Sequence, residues 1–304
     1  MNLKLFKLEE YLTQYEFNSP YLFCSSDAES FSMSDVIAMA NKEEQDLWEN
    51  LSLRYTEPFG YPLLRETIAK AMYQKMKKEN ILCFAGAEEG IYCALHALCE
   101  RGDHIIVLTP CYQSLKEIPG ARGCDVTTIN LKEENDWKIS LNDIKQSIRP
   151  NTKCLVMNFP HNPTGQVISQ DALTELVALL EQHGIWLFSD EVYRDLGTPQ
   201  EPWANAAADS YDKALSLGVM SKAFGMAGLR VGWIACQDKA FLHKIKRIKD
   251  YVSICNSGPS EILSLIALRN KRYFLSRNNQ NEVYNTKKIA SGLSSLLFVV
   301  HLLD

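Results

Sequence analysis

The stretch His-Ile-Ile-Val-Leu-Thr at residues 104–109 gives the clearest indication of the fold. Its interior is apolar without interruption, and it is bounded by a Gly-Asp turn and by Pro110. A strand that is apolar at consecutive positions is buried on both faces, which is typical of parallel sheets covered by helices. The stretch therefore predicts a central strand of an α/β protein.

Similar short apolar runs recur further along the chain and alternate with helical patterns. They predict strands at residues 125–129, 153–158, 184–189, 214–220 and 230–235. Between two of these runs, apolar residues spaced one helical turn apart from Leu173 to Leu180 predict a helix. Repeated strand–helix–strand units predict a three-layer α/β sandwich with a mostly parallel sheet.

Composition and charge argue against several classes of function. Of the 304 residues, 46% are hydrophobic and 23% are charged, as in an ordinary soluble protein, and the net charge of -5 does not favour a nucleic-acid partner. No apolar run is long enough to predict a signal peptide or a membrane span. The nine cysteines occur singly, so the sequence predicts neither disulfides nor a metal site, and we expect a cytoplasmic protein.

Candidate functional residues follow the predicted strands, because ligands of open α/β sheets bind beyond the carboxyl ends of the strands. His-Asn-Pro-Thr-Gly at residues 161–165 comes soon after one strand. This motif is ordinary turn material, or alternatively it places the Asn162 side chain at the sheet edge. Ser-Asp-Glu-Val-Tyr at 189–193 follows the next strand, and an unpaired Asp190 carboxylate would be costly there. Asp190 therefore needs a cationic partner, which either a ligand or a structural ion pair could provide.

A lysine follows the strand predicted at residues 214–220, in Ser-Lys-Ala-Phe-Gly-Met-Ala-Gly-Leu-Arg at 221–230. At such a position the Lys222 amine is expected to be poorly solvated and therefore nucleophilic, as an amine that forms a Schiff base must be. Arg230 has the geometry for bidentate phosphate binding. A Ser–Lys hydrolase is not favoured, because the Ser-x-x-Lys and Gly-x-Ser-x-Gly contexts are missing.

Small residues begin a further predicted helix in Ala-Gly-Ala-Glu-Glu-Gly-Ile at residues 85–91. The free N–H groups of such a helix start can bind an anion, although a plain helix start gives the same pattern. Nicotinamide and P-loop nucleotide sites have little support, because neither Gly-x-Gly-x-x-Gly nor a Walker loop occurs. Together, the four motifs supply the carboxylate, amine and phosphate donors that pyridoxal 5'-phosphate requires.

The same motifs carry a resemblance to a known family. His-Asn-Pro-Thr-Gly, then Asp-Glu-Val-Tyr at 190–193, then Ser-Lys-x-x-Gly-x-x-Gly-Leu-Arg-x-Gly-Trp at 221–233 resemble the class I/II aminotransferases of fold type I, which include aspartate aminotransferase. The similarity covers roughly residues 50–265. Upstream, residues 54–65 look like the tyrosine and glycine segment that precedes the first large-domain helix of that family.

The resemblance implies a catalytic role for residues at the strand ends. Lys222 would form the Schiff base with pyridoxal phosphate and afterwards carry the proton at the substrate Cα. Asp190 would pair with the pyridine nitrogen, and Asn162 and Tyr193 would hydrogen-bond the phenolic oxygen. Tyr112 would stack on the ring face.

The resemblance also implies how the phosphate is held. The backbone N–H groups of Ala87 and Glu88, the Ser221 hydroxyl and the Arg230 guanidinium would donate to it. Tyr55 would reach the phosphate of a neighbouring subunit, so the family implies a homodimer. Glu88 stands where the family often has a small or hydroxylic residue, and its side chain must point away if it is not to repel the phosphate.

Three segments are expected from the resemblance. They are an N-terminal segment at residues 1–50, a cofactor-binding large domain at 51–265, and the start of a truncated small domain at 266–304 with a divergent tail. Residues 289–304 do not resemble the family, and their apolar run would suit a buried strand or a short helix. The family arginine that clamps the substrate carboxylate has no match among the arginines of residues 266–304.

The expected function is a pyridoxal-phosphate-dependent aminotransferase that acts on an amino acid and a 2-oxo acid. A β-lyase or an amino-acid synthase of the same fold remains an alternative, because it would use the same lysine and aspartate. A truncated chain that binds the cofactor without catalysis is a third possibility. The residues named above bind the cofactor and do not choose among these reactions.

Overall fold

A seven-stranded sheet forms the centre of the computed structural model, which describes residues 3–20, 25–197 and 203–296. Its strands are β1 Ile81–Phe84, β2 His104–Thr109, β3 Asp125–Asn130, β4 Thr152–Asn158, β5 Trp186–Asp190, β6 Ala214–Val219 and β7 Gly232–Ala235. Their spatial order is β1-β7-β6-β5-β4-β2-β3. β7 runs antiparallel to both of its neighbours, and the remaining pairs are parallel. The predicted mostly parallel sheet is confirmed.

Helices cover both faces of this sheet. The α-helices of the described residues are α1 Lys7–Tyr15, α2 Met33–Ala38, α3 Lys42–Glu49, α4 Pro62–Met72, α5 Ala87–Leu98, α6 Gln113–Ala121, α7 Leu141–Ser147, α8 Gln170–His183, α9 Ala207–Ser210, α10 Lys239–Lys249, α11 Gly258–Arg269 and α12 Lys271–Leu296, and α1 lies outside the core clusters. Among the β2 side chains, Ile105 and Val107 belong to the core cluster under α5, α6 and α10, whereas Ile106 and Leu108 belong to the one under α7 and α8. The continuous apolar run of β2 thus reflects burial on both faces, as predicted, and the three-layer sandwich is confirmed.

Two predicted strands begin later than the sequence indicated. Gly184 has φ +65° and ends α8, so β5 starts only at Trp186. Arg230 has φ +50°, a left-handed conformation that does not continue a strand, and β7 starts at Gly232. β1 was not predicted as a strand, because its four residues are too few to show a period.

The end of the chain is helical as far as the structure describes it. Residues 289–296 belong to the end of α12, and residues 297–304 lie outside the described residues. The boundaries predicted at residues 50/51 and 265/266 stay predictions. Within the described parts of the chain, every helix is too short or too polar to cross a membrane.

Candidate functional site

A cavity of about 390 Å³ opens at the carboxyl ends of β4, β5 and β6. It is lined by nine of the residues that the sequence predicted for the site, namely Ala87, Glu88, Tyr112, Asn162, Asp190, Tyr193, Ser221, Lys222 and Arg230. The tenth, Tyr55, lies on the surface with 82% of its area exposed. The topology therefore brings together residues that are far apart in sequence, because the parallel strands end at one edge of the sheet.

Asp190 is the last residue of β5 and is buried within this cavity. Its Oδ1 accepts a hydrogen bond of 3.2 Å from the backbone N–H of Val192. Burial raises the pKa of Asp190 to about 7, and the negative charges of Glu191 and Glu88 raise this pKa further. Among the described residues no lysine, arginine or histidine forms an ion pair with Asp190.

The structural ion pair predicted as one possible reading of this motif belongs to the neighbouring residue. Glu191 accepts from the Arg194 guanidinium at 3.0 Å, and it also accepts from the Ser216 hydroxyl and the Ala207 N–H. Asp190 therefore keeps an ionisable carboxyl with no cation at ion-pair distance among the described residues, although the more distant Lys222 charge lowers its pKa somewhat. A cationic atom of a ligand would supply this missing partner.

Lys222 follows β6 and carries the amine that the sequence placed at the site. Its Nζ donates to Asp27 Oδ1 at 2.6 Å and to Ser26 Oγ at 3.0 Å. The sequence analysis did not predict this contact, in which a carboxylate from the N-terminal segment binds the amine. The sequence offered no signal for this contact, since Asp27 lies far from every strand-end motif.

A chain of hydrogen bonds fixes the polar side chains after β4. Asn162 Nδ2 donates to Tyr193 Oη at 2.9 Å, and the Tyr193 hydroxyl donates to Ser26 Oγ at 3.0 Å. The backbone N–H of Asn162 donates to the Asn158 side chain, whose amide in turn bonds the carbonyl oxygen of Asp190. Asn158 was not predicted as a site residue, although it stands at the end of a predicted strand. The motif is therefore more than a turn, because it joins two strand ends.

Tyr112 lies at the start of α6 and closes another side of the cavity. Its hydroxyl donates to Glu9 Oε1 at 2.6 Å, and its ring lies 5.0 Å from the ring of Phe6 between centroids. Helix α1 is therefore held against the site through Tyr112. Tyr112 lines the cavity, and its stacking on a cofactor ring stays a prediction.

An anion cradle forms where α5 begins. Gly86 has φ +91°, and a Cβ at this position would lie 2.4 Å from Nη2 of Arg230, so the guanidinium lies directly against the loop. A Cβ at Gly232 would lie 2.9 Å from the backbone nitrogen of Ala87. The first N–H groups of α5 and the Arg230 guanidinium therefore face the same space, which is the arrangement that binds phosphate.

Glu88 is the residue at which the sequence departed from the family pattern. Its carboxylate accepts from the Ser114 hydroxyl at 2.9 Å, and no ion pair joins it to Arg230. Burial raises the pKa of Glu88, and the negative charge of Glu9 raises it further. The Ser114 contact ties the carboxylate to α6, as expected if only the Glu88 backbone serves an anion in the cradle.

These groups fit pyridoxal phosphate. The cavity holds a primary amine, a buried carboxyl without a cation, a tyrosine–asparagine pair and an anion cradle. The cofactor offers a matching aldehyde, pyridine nitrogen, phenolic oxygen and phosphate. The fit rests on donors and acceptors of the described residues.

Comparison with known proteins agrees with this fit. The family model "Aminotransferase class I and II" matches residues 22–295. Capreomycidine synthase of Streptomyces vinaceus is 28% identical over 285 residues, which cover 93% of this chain and 72% of that protein. Kynurenine–oxoglutarate transaminase 1 of Mus musculus is 32% identical over 207 residues, which cover 62% of this chain and 49% of the mouse protein.

Solved structures show the same architecture. A PLP-dependent aminotransferase from Streptococcus suis superposes with a TM-score of 0.90 at 29% identity, over 97% of this chain and 78% of that one. Aspartate aminotransferase from Thermus thermophilus superposes with a TM-score of 0.85 at 22% identity, which shows a shared fold. The chain spans about half the length of several curated relatives that it matches.

Proposed function

Because the chain belongs to the class I and II aminotransferases, we propose that it binds pyridoxal phosphate at Lys222 and transfers an amino group from an amino acid to a 2-oxo acid. One observation carries this proposal. The Lys222 amine and the buried Asp190 carboxyl line the same cavity as Arg230, which forms the anion cradle with Gly86. Borohydride reduction of the cofactor-loaded chain, followed by peptide mapping, tests it directly. A label on any residue other than Lys222 contradicts the assignment.

Each residue has a task that follows from its position. When bound, pyridoxal phosphate supplies an aldehyde and an electron-withdrawing ring that stabilises negative charge at the substrate Cα. Lys222 holds the cofactor and moves the proton at that Cα, because its amine is the mobile base in the cavity. Asp190 binds the pyridine nitrogen as its buried counterion. Asn162 and Tyr193 donate to the phenolic oxygen.

The phosphate end of the proposal depends on the fit between Gly86 and Arg230. Alanine at position 86 adds a Cβ 2.4 Å from the Arg230 guanidinium, which must then move out of the cradle. We expect Gly86→Ala to weaken cofactor binding by about 10-fold to 100-fold, the equivalent of one charge-assisted hydrogen bond. Fluorescence titration with pyridoxal phosphate measures the dissociation constant.

Gly102→Ala is the matched control for this change. Gly102 has φ +90°, close to the φ of Gly86, but a Cβ there meets nothing within 4 Å. Both variants therefore carry similar backbone strain, and only Gly86→Ala disturbs the cradle. Equal affinities in the two variants would contradict the proposed phosphate site.

The proposal includes a homodimer. Exposed apolar side chains occur on two neighbouring segments, Leu53 and Tyr55 on one and Tyr251 on the other. The Thr56 hydroxyl donates to the carbonyl oxygen of Asn256 at 2.9 Å, which joins these segments. A second copy of the chain would cover this surface, and Tyr55 would then donate to the phosphate in the partner's cavity.

Two variants separate the two roles of this surface. We expect Leu53→Asp to shift the protein from dimer to monomer in sedimentation velocity, because a charge would be buried in the interface. Tyr55→Phe is expected to leave the dimer intact and to raise the cofactor dissociation constant about 10-fold, through loss of one hydrogen bond to phosphate. Tyr284→Phe, at another exposed tyrosine, serves as the control. Unchanged cofactor affinity in Tyr55→Phe would refute the shared site.

A synthase of the same fold is a second candidate, because capreomycidine synthase matches along 93% of the chain. Product analysis distinguishes the two reactions. A transaminase forms a new amino acid only when a 2-oxo acid is present, whereas a synthase or a lyase consumes its substrate without one. Cofactor binding without any turnover would restrict the function to binding.

We also propose that the protein works in a reducing compartment, the cytoplasm. The described cysteines are free thiols, and several of them are buried in the core. Unpaired thiols in this number are typical of proteins from reducing compartments.

A further inference from the structure

Two buried charged side chains hold the loop that precedes α4. Lys249, the last residue of α10, donates from Nζ to the carbonyl oxygen of Pro58 at 2.7 Å. Glu261 in α11 accepts at Oε1 from the backbone N–H of Tyr61, at 3.1 Å. Lys249 and Glu261 have 0% and 1% of their areas exposed. The backbone of the loop is therefore fixed by side chains from two different helices.

The same loop packs closely against β1 and α11. The backbone N–H of Cys83 in β1 donates to the carbonyl oxygen of Phe59 at 2.9 Å. Gly60 has φ +107°, and a Cβ at this position would lie 2.6 Å from Cys83 Sγ and 3.3 Å from Glu261 Oε1. A larger residue would not fit between the loop and these side chains. The loop is thus held in one position relative to α11.

The burial of Glu261 and Lys249 costs free energy. Burial raises the pKa of Glu261 to about 7, whereas the Tyr61 N–H and the Lys249 charge lower it. Oε2 of Glu261 is buried and has no hydrogen-bond partner within the described residues. An apolar pair of similar volume would avoid this cost. What the two charged side chains supply, and an apolar pair would lack, is their hold on the loop backbone.

Tyr55 stands at the exposed end of this loop. Its side chain is 82% exposed, and the hydroxyl of its neighbour Thr56 donates to the carbonyl oxygen of Asn256 at 2.9 Å. Under the proposed function, on which this inference rests, Tyr55 donates to the phosphate in the cavity of a second copy. A side chain on a fixed loop loses less conformational freedom on binding than one on a mobile loop.

We infer that Glu261 and Lys249 are positioning residues that hold Tyr55 for the phosphate in the partner's cavity. They act across the subunit interface and touch neither cofactor nor substrate. Because they act through Tyr55, their removal cannot cost more cofactor affinity than removal of the Tyr55 hydroxyl itself.

A double-mutant cycle with the full chain tests this dependence. Glu261→Met keeps the length of the side chain and removes the acceptor of the Tyr61 N–H. We expect it to raise the dissociation constant for pyridoxal phosphate about 3-fold to 10-fold in fluorescence titration. In the Tyr55→Phe background the same replacement should cause no further rise. Sedimentation velocity should show a dimer in all variants of the cycle.

Glu44→Met is the matched control. Glu44 is also 1% exposed, and its carboxylate binds Arg269 and the backbone N–H of Asn41, away from the loop. Its replacement should lower stability in urea unfolding and leave cofactor affinity unchanged. If Glu261→Met does not fold, Thr56→Val takes its place in the cycle, because it frees the loop next to Tyr55 without a change of charge. We expect the same dependence on the Tyr55 hydroxyl.

Two results would overturn the inference. Equal rises in the dissociation constant with and without the Tyr55 hydroxyl would mean that the loop acts on cofactor binding by another route. Unchanged affinity in Glu261→Met and in Thr56→Val would mean that the loop needs no anchor. In either case Tyr55→Phe alone still tests the shared site, and borohydride labelling of Lys222 still tests the proposed function. If Tyr55→Phe alone has no effect, the shared site and this inference fail together.

Discussion

Lys222→Ala is expected to abolish covalent attachment of pyridoxal phosphate and to lower turnover by at least about 10⁴-fold. The variant loses both the amine that bonds the cofactor and the base that moves the proton at the substrate Cα. The visible absorption band of the bound cofactor should disappear, and borohydride reduction should leave no labelled peptide. Absorption spectra and peptide mapping measure both effects.

Lys239→Ala provides the control for this replacement. Lys239 is an exposed lysine at the start of α10, away from the cavity. Its loss should leave the spectrum and the labelled peptide unchanged. A full visible band in Lys222→Ala would show that another amine binds the cofactor.

Asp190→Asn is expected to lower turnover by about 10²-fold to 10³-fold while the cofactor stays attached. Asparagine keeps the oxygen that accepts from the Val192 N–H, but it removes the buried charge that pairs with the pyridine nitrogen. Breaking a buried ion pair costs about 3–5 kcal/mol. The part of this cost that weakens the stabilisation of negative charge at Cα lowers turnover. Single-turnover kinetics with a saturating amino acid measures the loss.

The same variant, which lowers turnover, is expected to raise the stability of the cofactor-free chain. Burial raises the pKa of Asp190 from 3.8 to about 7 in the folded state. Below pH 3.8 the Asp190 carboxyl is protonated in both the folded and the unfolded state, so it does not change the free energy of unfolding. As the pH rises from 3.8 to 7, the unfolded chain ionises first, and the free energy of unfolding falls.

Asp190→Asn should therefore stabilise the cofactor-free protein above pH 7, on the order of 2–4 kcal/mol, and should change little near pH 4. Urea unfolding at the two pH values measures the difference. Asp212→Asn, at an exposed turn position, should show no such pH dependence. A loss of stability in Asp190→Asn at pH 8 would mean that a cation in the chain pairs with this carboxylate.

The strand ends could be predicted from the sequence because burial on both faces leaves a continuous apolar run. The polar residue after such a run must lie at the edge of the sheet, as Asn162, Asp190 and Lys222 do. Their specific roles came from the family resemblance, which named the chemistry that this set performs. β1 was not predicted, because four residues are too few to show a hydrophobic periodicity.

The contacts of the N-terminal segment could not be predicted. Ser26 and Asp27 reach Lys222 across more than half of the chain, and Glu9 reaches Tyr112 across about a third of it. Contacts of this kind depend on the final packing of α1 and the following segment, which no local pattern encodes. The structural ion pair weighed for this motif could not be placed for the same reason, because only the tertiary structure shows that Arg194 pairs with Glu191 and not with Asp190.

The position of β1 at the edge of the sheet affects the order in which the chain can fold. β1 pairs only with β7 in the described structure, and Phe84 lies opposite Gly232 in that pairing. During synthesis, β1 leaves the ribosome long before β7. The pairing of β1 with β7 is therefore a late closure, a contact between residues far apart in sequence. The same closure brings Gly86 to Arg230. A phosphate-bearing ligand that binds only after closure will therefore hold the last strand pair together and slow its reopening.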